Sequence, residues 1–127
     1  MTGYVGKLEE QALKNKYFRK VLFTSKSLQL VVMSLLPLEE IGLEVHKKVD
    51  QFFRVESGEG KIIMNGKATK FSAGSAMIVP AGTEHNVLNT SKTEPLKLYT
   101  IYTPPQHPDG KVHKTKAEAM ADEHDHR

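Results

Sequence analysis

An imidazole set just past a rigid corner is the feature of this chain with the plainest chemical use. The stretch runs Gly74-Ser-Ala-Met-Ile-Val-Pro80-Ala-Gly82-Thr-Glu-His85-Asn-Val-Leu-Asn89. Its apolar run, Ala76 to Val79, is strand-like, and the Pro80-Ala-Gly82 corner ends it. A second strand, roughly His85 to Asn89, leaves the corner. His85 is therefore predicted at the start of a strand, held by a turn whose shape Pro80 and Gly82 fix. A catalytic or metal-binding imidazole benefits from that rigidity.

The elements that must position it read as short strands. Phe18 to Phe23 and Ser27 to Leu36 are β-branched or apolar, with a polar turn between them. The second of these is apolar at nearly every position, which predicts burial on both faces or a crossing from core to interface. Further strands are expected at Ile41 to His46, Asp50 to Glu56, Lys61 to Met64, Lys67 to Phe71, Ser75 to Val79, His85 to Asn89 and Leu96 to Thr103. A turn is expected over Ser57 to Gly60, and Asn65-Gly66 is the strongest hairpin signal in the chain. Short strands at this spacing predict an all-β sandwich or barrel.

The flanks differ in texture. Leu8, Ala12 and Leu13 can line one face of a short helix, against which Gly3, Gly6 and Asn15 weigh. A short N-terminal arm packed on the domain or on a partner subunit is expected there. Thr103-Pro104-Pro105 ends the sheet, and His107-Pro108-Asp109-Gly110 reads as a loop. Thr115-Lys-Ala-Glu118 is a capping box opening a short C-terminal helix through Ala121, and Glu123 to Arg127 reads as a frayed tail.

A chain of 127 residues is read as a single domain, with the barrel core at about 18–103 and the C-terminal loop and helix at 104–127. The net charge of +3 comes from lysines interspersed with acids, without a block of like charge, so no nucleic-acid partner is expected. No apolar run reaches the roughly 18 residues of a membrane span, and the N-terminus lacks a basic-then-apolar export signal. A cytoplasmic location is expected. Cysteine is absent, which excludes disulfides and thiolate metal sites.

Gly74, Pro80, Gly82, His85 and Asn89 fill every fixed position of the pattern G-x5-P-x-G-x2-H-x3-N. In this the chain resembles the cupin superfamily, whose second motif has that form. The resemblance covers about residues 35–103 and is to small single-domain cupins of type 2, often described as mannose-6-phosphate-isomerase-like. It implies a double-stranded β-helix, that is, a jelly-roll β-barrel. The first cupin motif, G-x5-H-x-H-x3–4-E-x6-G, is matched in spacing up to Gly58, with three replacements: Leu38 for the leading glycine, Glu44 for the first histidine and Gln51 for the glutamate. The resemblance thus implies a metal set of Glu44, His46, Gln51 and His85. Strand alternation supports a shared site. Glu44 and His46 point to one face and Leu43 and Val45 to the other; Gln51, Phe53 and Val55 share a face, as do His85, Val87 and Asn89. Like three histidines and a glutamate, the set supplies one negative charge. Imidazole and carboxylate ligands suit a divalent transition metal, Zn, Fe, Mn, Co or Ni.

Other residues carry weaker claims. Tyr99 and Tyr102 on the last strand face opposite ways, so one of them is a candidate proton carrier. Arg19 and Arg54 can bind an anionic substrate, Arg54 being expected to face away from the ligands. His107 and His113 are expected at the surface, and His124 and His126 in the tail are expected to bind metal only adventitiously. Phe53, Met64, Met77 and Val79 are expected to line the pocket. Phe52, Leu43, Val45 and Leu88, facing outward, suggest a sheet covered by a second subunit, so a homodimer is expected. The expected function is metal-dependent Lewis-acid chemistry on a small sugar-like or carbonyl-containing molecule, with isomerase chemistry foremost. Sugar-acid cupins that open unsaturated uronates, which also carry glutamine at the Gln51 position, point the same way. The alternatives are a non-catalytic small-molecule binding cupin and an Fe-dependent dioxygenase.

Overall fold

Two antiparallel sheets enclose the apolar interior in this computed structural model, which describes residues 2–122. The strands are β1 (Arg19–Thr24), β2 (Gln29–Leu35), β3 (Glu44–Val45), β4 (Asp50–Ser57), β5 (Glu59–Met64), β6 (Lys67–Ser72), β7 (Ala76–Val79), β8 (Glu84–Asn89), β9 (Leu96–Thr103) and β10 (Val112–His113). Helix α1 (Leu8–Lys14) precedes them and α2 (Lys116–Ala121) follows. The six-stranded sheet has the order β10-β1-β2-β9-β4-β7, and the four-stranded sheet β3-β8-β5-β6. This is the jelly-roll arrangement that the resemblance implied, within the all-β sandwich or barrel expected from the strand pattern. No helix among the described residues is long and apolar enough to cross a membrane.

Alternation sorts the side chains as read from the sequence. Gln51, Phe53 and Val55 of β4 are buried, while Phe52, Arg54 and Glu56 are half-buried. Phe53, Met77 and Val79 belong to the core and Met64 packs against it, so these four, expected to line the pocket, instead fill the packed interior and line neither hollow beside Glu44 and His46. Every residue of β2 is buried, because its second face lies under α1, whose Ala12 is fully enclosed. Leu43 and Val45 are exposed, and Leu88 is half-buried like Phe52. The hairpin closes on Asn65 and Gly66 as expected.

Three local readings change. The strand expected over Ile41 to His46 shrinks to Glu44–Val45, because Gly42 bends the chain at φ +117 and its N–H goes to Asn86 Oδ1 at 2.9 Å, a side chain rather than a ladder partner. The turn expected over Ser57 to Gly60 reduces to Gly58, since β5 begins at Glu59. His107 and His113, expected at the surface, are buried, at 4% and 2% exposure. Gln29 draws the His107 loop inward: its Oε1 accepts from the N–H groups of Gln106 and His107, and its Nε2 donates to His107 O. His113 is carried in by β10, which pairs with β1. The capping box forms, with Thr115 Oγ1 accepting from Glu118 N at 3.1 Å. Glu118 Oε1 reaches back one residue further than expected, to Lys114 N.

Leu38, which replaces the motif's leading glycine, takes φ +64. The fold thus asks for a left-handed residue here, a conformation that costs an L side chain roughly 1–2 kcal/mol. Leu38 is 61% exposed, so its side chain offsets little of that. Leu38→Gly is expected to raise stability by about 0.5–1 kcal/mol after the greater unfolded-state entropy of glycine is subtracted. Thermal unfolding of the two proteins side by side tests this, and an unchanged or lower midpoint would refute it.

Candidate metal centre

Pairing of β3 with β8 sets Glu44 directly opposite His85. His46 follows two residues after Glu44 on the same face and is buried. The Pro80-Gly82 corner is tied to this segment at two points. Gly82, at φ +87, donates its N–H to His46 O at 2.8 Å, and Ala81 N donates to Asp50 Oδ1 at 2.8 Å. A residue with a β-carbon is strained at that φ, so the glycine serves the geometry of the corner.

One ligand atom from each of Glu44, His46 and His85 lies within 4.8 Å of the others. His46 Nε2 is 4.0 Å from Glu44 Oε2, and the two imidazole rings are 5.3 Å apart. Donors on one first-row ion at about 2.0–2.2 Å stand roughly 3–4.4 Å apart, so the three atoms lie near the spacing that a single ion draws together.

The protonation states suit ligation. His85 Nδ1 lies 3.0 Å from Thr83 O, which can only accept, so Nδ1 donates there and Nε2 is the nitrogen left to ligate. Burial pushes His46 below the ordinary histidine value; Glu44 opposes this, while His85, His107 and Arg19 add to it. His46 is therefore neutral at neutral pH. Its Nε2 is buried without a hydrogen-bond partner, and so is Gln51 Oε1. Each such orphan costs about 1–3 kcal/mol unless something satisfies it. A cation at the centre would satisfy the imidazole nitrogen, and two imidazoles and a carboxylate are donors that first-row divalent ions accept. The residues present fit a transition-metal ion.

Gln51 sits on β4, in register with Tyr102 of β9 and Val79 of β7. Its Nε2 donates to Thr100 Oγ1 at 3.0 Å, which orients the amide and leaves the oxygen as its unpartnered end. The tyrosines part as alternation requires. Tyr102 is buried, 6.0 Å from the His46 ring and edge-on to it, with its hydroxyl 3.2 Å from His107 Nε2. Tyr99 lies on the other face against Phe52, 6.3 Å between rings. Arg54 faces away as expected and pairs with Glu56. His124 and His126 lie outside the described residues.

Two hollows with no lining residue in common reach residues of the centre. One, of about 270 Å³, is lined by Glu44 together with Arg19, Glu40 and Met120. The other, of about 510 Å³, reaches His46 between Lys48 and Pro105. Sequence reasoning missed His107 as a neighbour of Tyr102 and Thr100 as the orienter of Gln51. Each becomes visible only when β9 is placed beside β4 and the loop beyond it is folded back. The sole local signal was Gln29, a polar residue in an otherwise apolar run.

Residues 31–102 match the family model described as the cupin domain. Uncharacterized protein YrkC of Bacillus subtilis is 49% identical over 94% of this chain and 67% of its own length. Uncharacterized protein L612 of Acanthamoeba polyphaga mimivirus is 46% identical over 86% of this chain and 70% of its own length. The crystal structure of BH2720 from Bacillus halodurans superposes with a TM-score of 0.92 at 45% identity, covering 94% of this chain and 95% of the other. With the family pattern spanning most of the barrel and the fold shared at that level, the chain belongs to the cupin family.

Proposed function

We propose that this cupin holds a divalent transition metal through Glu44, His46 and His85, with Gln51 Oε1 as a fourth donor, and catalyses isomerisation of a small sugar-like or carbonyl-containing molecule. The observation that carries the reading is the meeting of three ligand atoms within 4.8 Å around a buried, unpartnered imidazole nitrogen. Bound there, a divalent ion supplies Lewis-acid polarisation of a carbonyl or hydroxyl oxygen. The chain's own part is positioning and proton transfer. Thr83 O and Thr100 Oγ1 orient His85 and Gln51. Isomerisation moves a proton between neighbouring carbons, and the proposal assigns that proton to Tyr102, whose ring lies 6.0 Å from that of His46. Its hydroxyl contacts His107 Nε2, so a proton can pass between phenol and imidazole without leaving the interior.

The test is proton exchange. The protein, loaded in turn with Zn, Mn, Fe, Co or Ni, is incubated in D2O with uronates and hexose phosphates, and loss of the proton next to the carbonyl is followed by NMR. Exchange is expected with at least one ion. Tyr102→Phe is expected to slow it about 10²–10⁴-fold with metal content and KM little changed. If no loaded form exchanges a proton, the isomerase reading fails and a binding barrel remains.

A further inference from the structure

Arg19 is a buried cation. It is 3% exposed, its Nε has no hydrogen-bond partner, and among the described residues no carboxylate pairs with it. Its partners among the described residues are a ring face and an imidazole, not an anion. The guanidinium carbon lies 5.2 Å from the Phe18 ring centroid, and Nη1 is 3.1 Å from His113 Nδ1. Arginine only donates, so His113 Nδ1 accepts and His113 Nε2–H donates to Asp122 Oδ2 at 3.1 Å. Hydrogen bonds from Lys111 and then His113 hold the Asp122 carboxyl down at about 2, so it is ionised and keeps His113 in that tautomer. The carboxylate that orders this chain therefore sits one imidazole away from the guanidinium. It positions Arg19 without neutralising it.

Buried charges are normally paired, and an unpaired guanidinium persists where something else brings the anion. Arg19 lines the same 270 Å³ hollow as the metal-site residue Glu44. Lys116 lines it too, so Arg19 and Lys116 balance Glu40 and Glu44 when the hollow is empty. A divalent ion at Glu44 would leave an excess of two positive charges there. Glu40 is already engaged, accepting from Asn86 Nδ2 at 3.2 Å.

We infer that Arg19 is the specificity residue for a carboxylate on the substrate, received in the hollow between α2 and the Glu44 segment. The ligand class is a small organic acid whose carboxylate meets the Arg19 guanidinium while its reacting oxygen reaches the Glu44–His46–His85 centre. The planar guanidinium edge matches a carboxylate better than a point cation would. The inference deepens the proposed function and rests on it for the second half of the contact.

Calorimetry on the full chain after Zn loading, with elemental analysis of each sample, tests it with matched probes: D-galacturonate against D-galactose, and malonate against malonamide. Wild type is expected to bind at least one acid about tenfold or more tighter than its neutral counterpart. Arg19→Met is expected to erase the preference at unchanged zinc content, and Arg19→Lys, which keeps the charge and guards against misfolding, to retain part of it. A merely structural arginine would lower the melting temperature and leave the acid preference intact. Equal binding of acid and neutral probes by wild type, or an undiminished preference in Arg19→Met, overturns the assignment. Arg19-dependent binding of inorganic phosphate alone overturns the carboxylate class. If no zinc is taken up yet the acid preference still disappears with Arg19, the metal reading fails and this one stands.

Discussion

A His46→Ala/His85→Ala variant is expected to lose bound transition metal entirely, where the unaltered centre retains about one equivalent per chain. Both proteins should carry His124→Asn and His126→Asn, so that the tail cannot contribute. The effect is large because the variant removes both nitrogen donors and leaves Glu44 and the neutral Gln51 amide, a pair of oxygens too weak for a first-row ion at micromolar concentration. The fold should survive. His46 Nε2 has no partner to orphan, and Thr83 O, on a half-exposed residue, can take water in place of His85. Chelation should lower the melting temperature of the parent and leave that of the variant unmoved, since only a folded state that binds the ion is stabilised by it. Thr100→Val should be milder, weakening the ion by about 10–100-fold through loss of the hydrogen bond that orients Gln51. Elemental analysis after reloading with Zn, Mn, Fe, Co and Ni decides the matter. Metal retained by the double variant, or none taken up by the parent, would sink the site. The identity of the retained ion would also narrow the chemistry, with zinc or manganese favouring isomerase and iron favouring oxygenase.

Asn89→Ala is expected to cost about 3 kcal/mol of stability without changing metal content. Asn89 closes the second motif and shares a strand face with His85 and Val87, but its hydrogen bonds all go to the backbone. Its Nδ2 donates to Leu36 O at 3.0 Å and Glu94 O at 2.9 Å, with Leu35 O at 3.3 Å, and its Oδ1 accepts from Ser91 N at 3.0 Å. One side chain, 2% exposed, thereby ties the end of β2 to the loop that leads into β9. Each buried group orphaned by alanine costs about 1–3 kcal/mol, and water recovers part of that where the loop is exposed. A drop of about 10 °C in melting temperature corresponds for a chain of this size. Asn89→Asp should be nearly as harmful, because it keeps the acceptor and loses the donors. A loss under about 1 kcal/mol in urea unfolding would show that the loop holds itself.

Much of the barrel was legible because its signals are local. Alternation in Asp50–Ser57 sorted inner from outer side chains, and Asn65-Gly66 marked the hairpin. The corner around Gly82 announced a rigid mount for His85, since few sequences make a sharp turn without proline or glycine. Even the departure at Leu38 was visible as a departure, although its physical meaning, a strained left-handed residue, needed the backbone angle.

The amino-acid sequence by itself determined most of the strands (though neither the extent of β3 nor β10), the face the longer strands turn inward and the two motifs that carry the histidines, because these depend on neighbours two to four residues away. Only the tertiary structure decided which strands pair, and so which inward residues meet. The register of β3 on β8 sets Glu44 against His85, forty-one positions apart. The return of the C-terminal segment onto β1 buries His113 against Arg19, and the amide of Gln29 folds His107 in beside Tyr102. These contacts join residues distant in the chain, and nothing in the local pattern of either partner encodes the other. The resulting arrangement, an anionic centre beside a guanidinium that no carboxylate pairs with among the described residues, exists only once the two sheets close on one another.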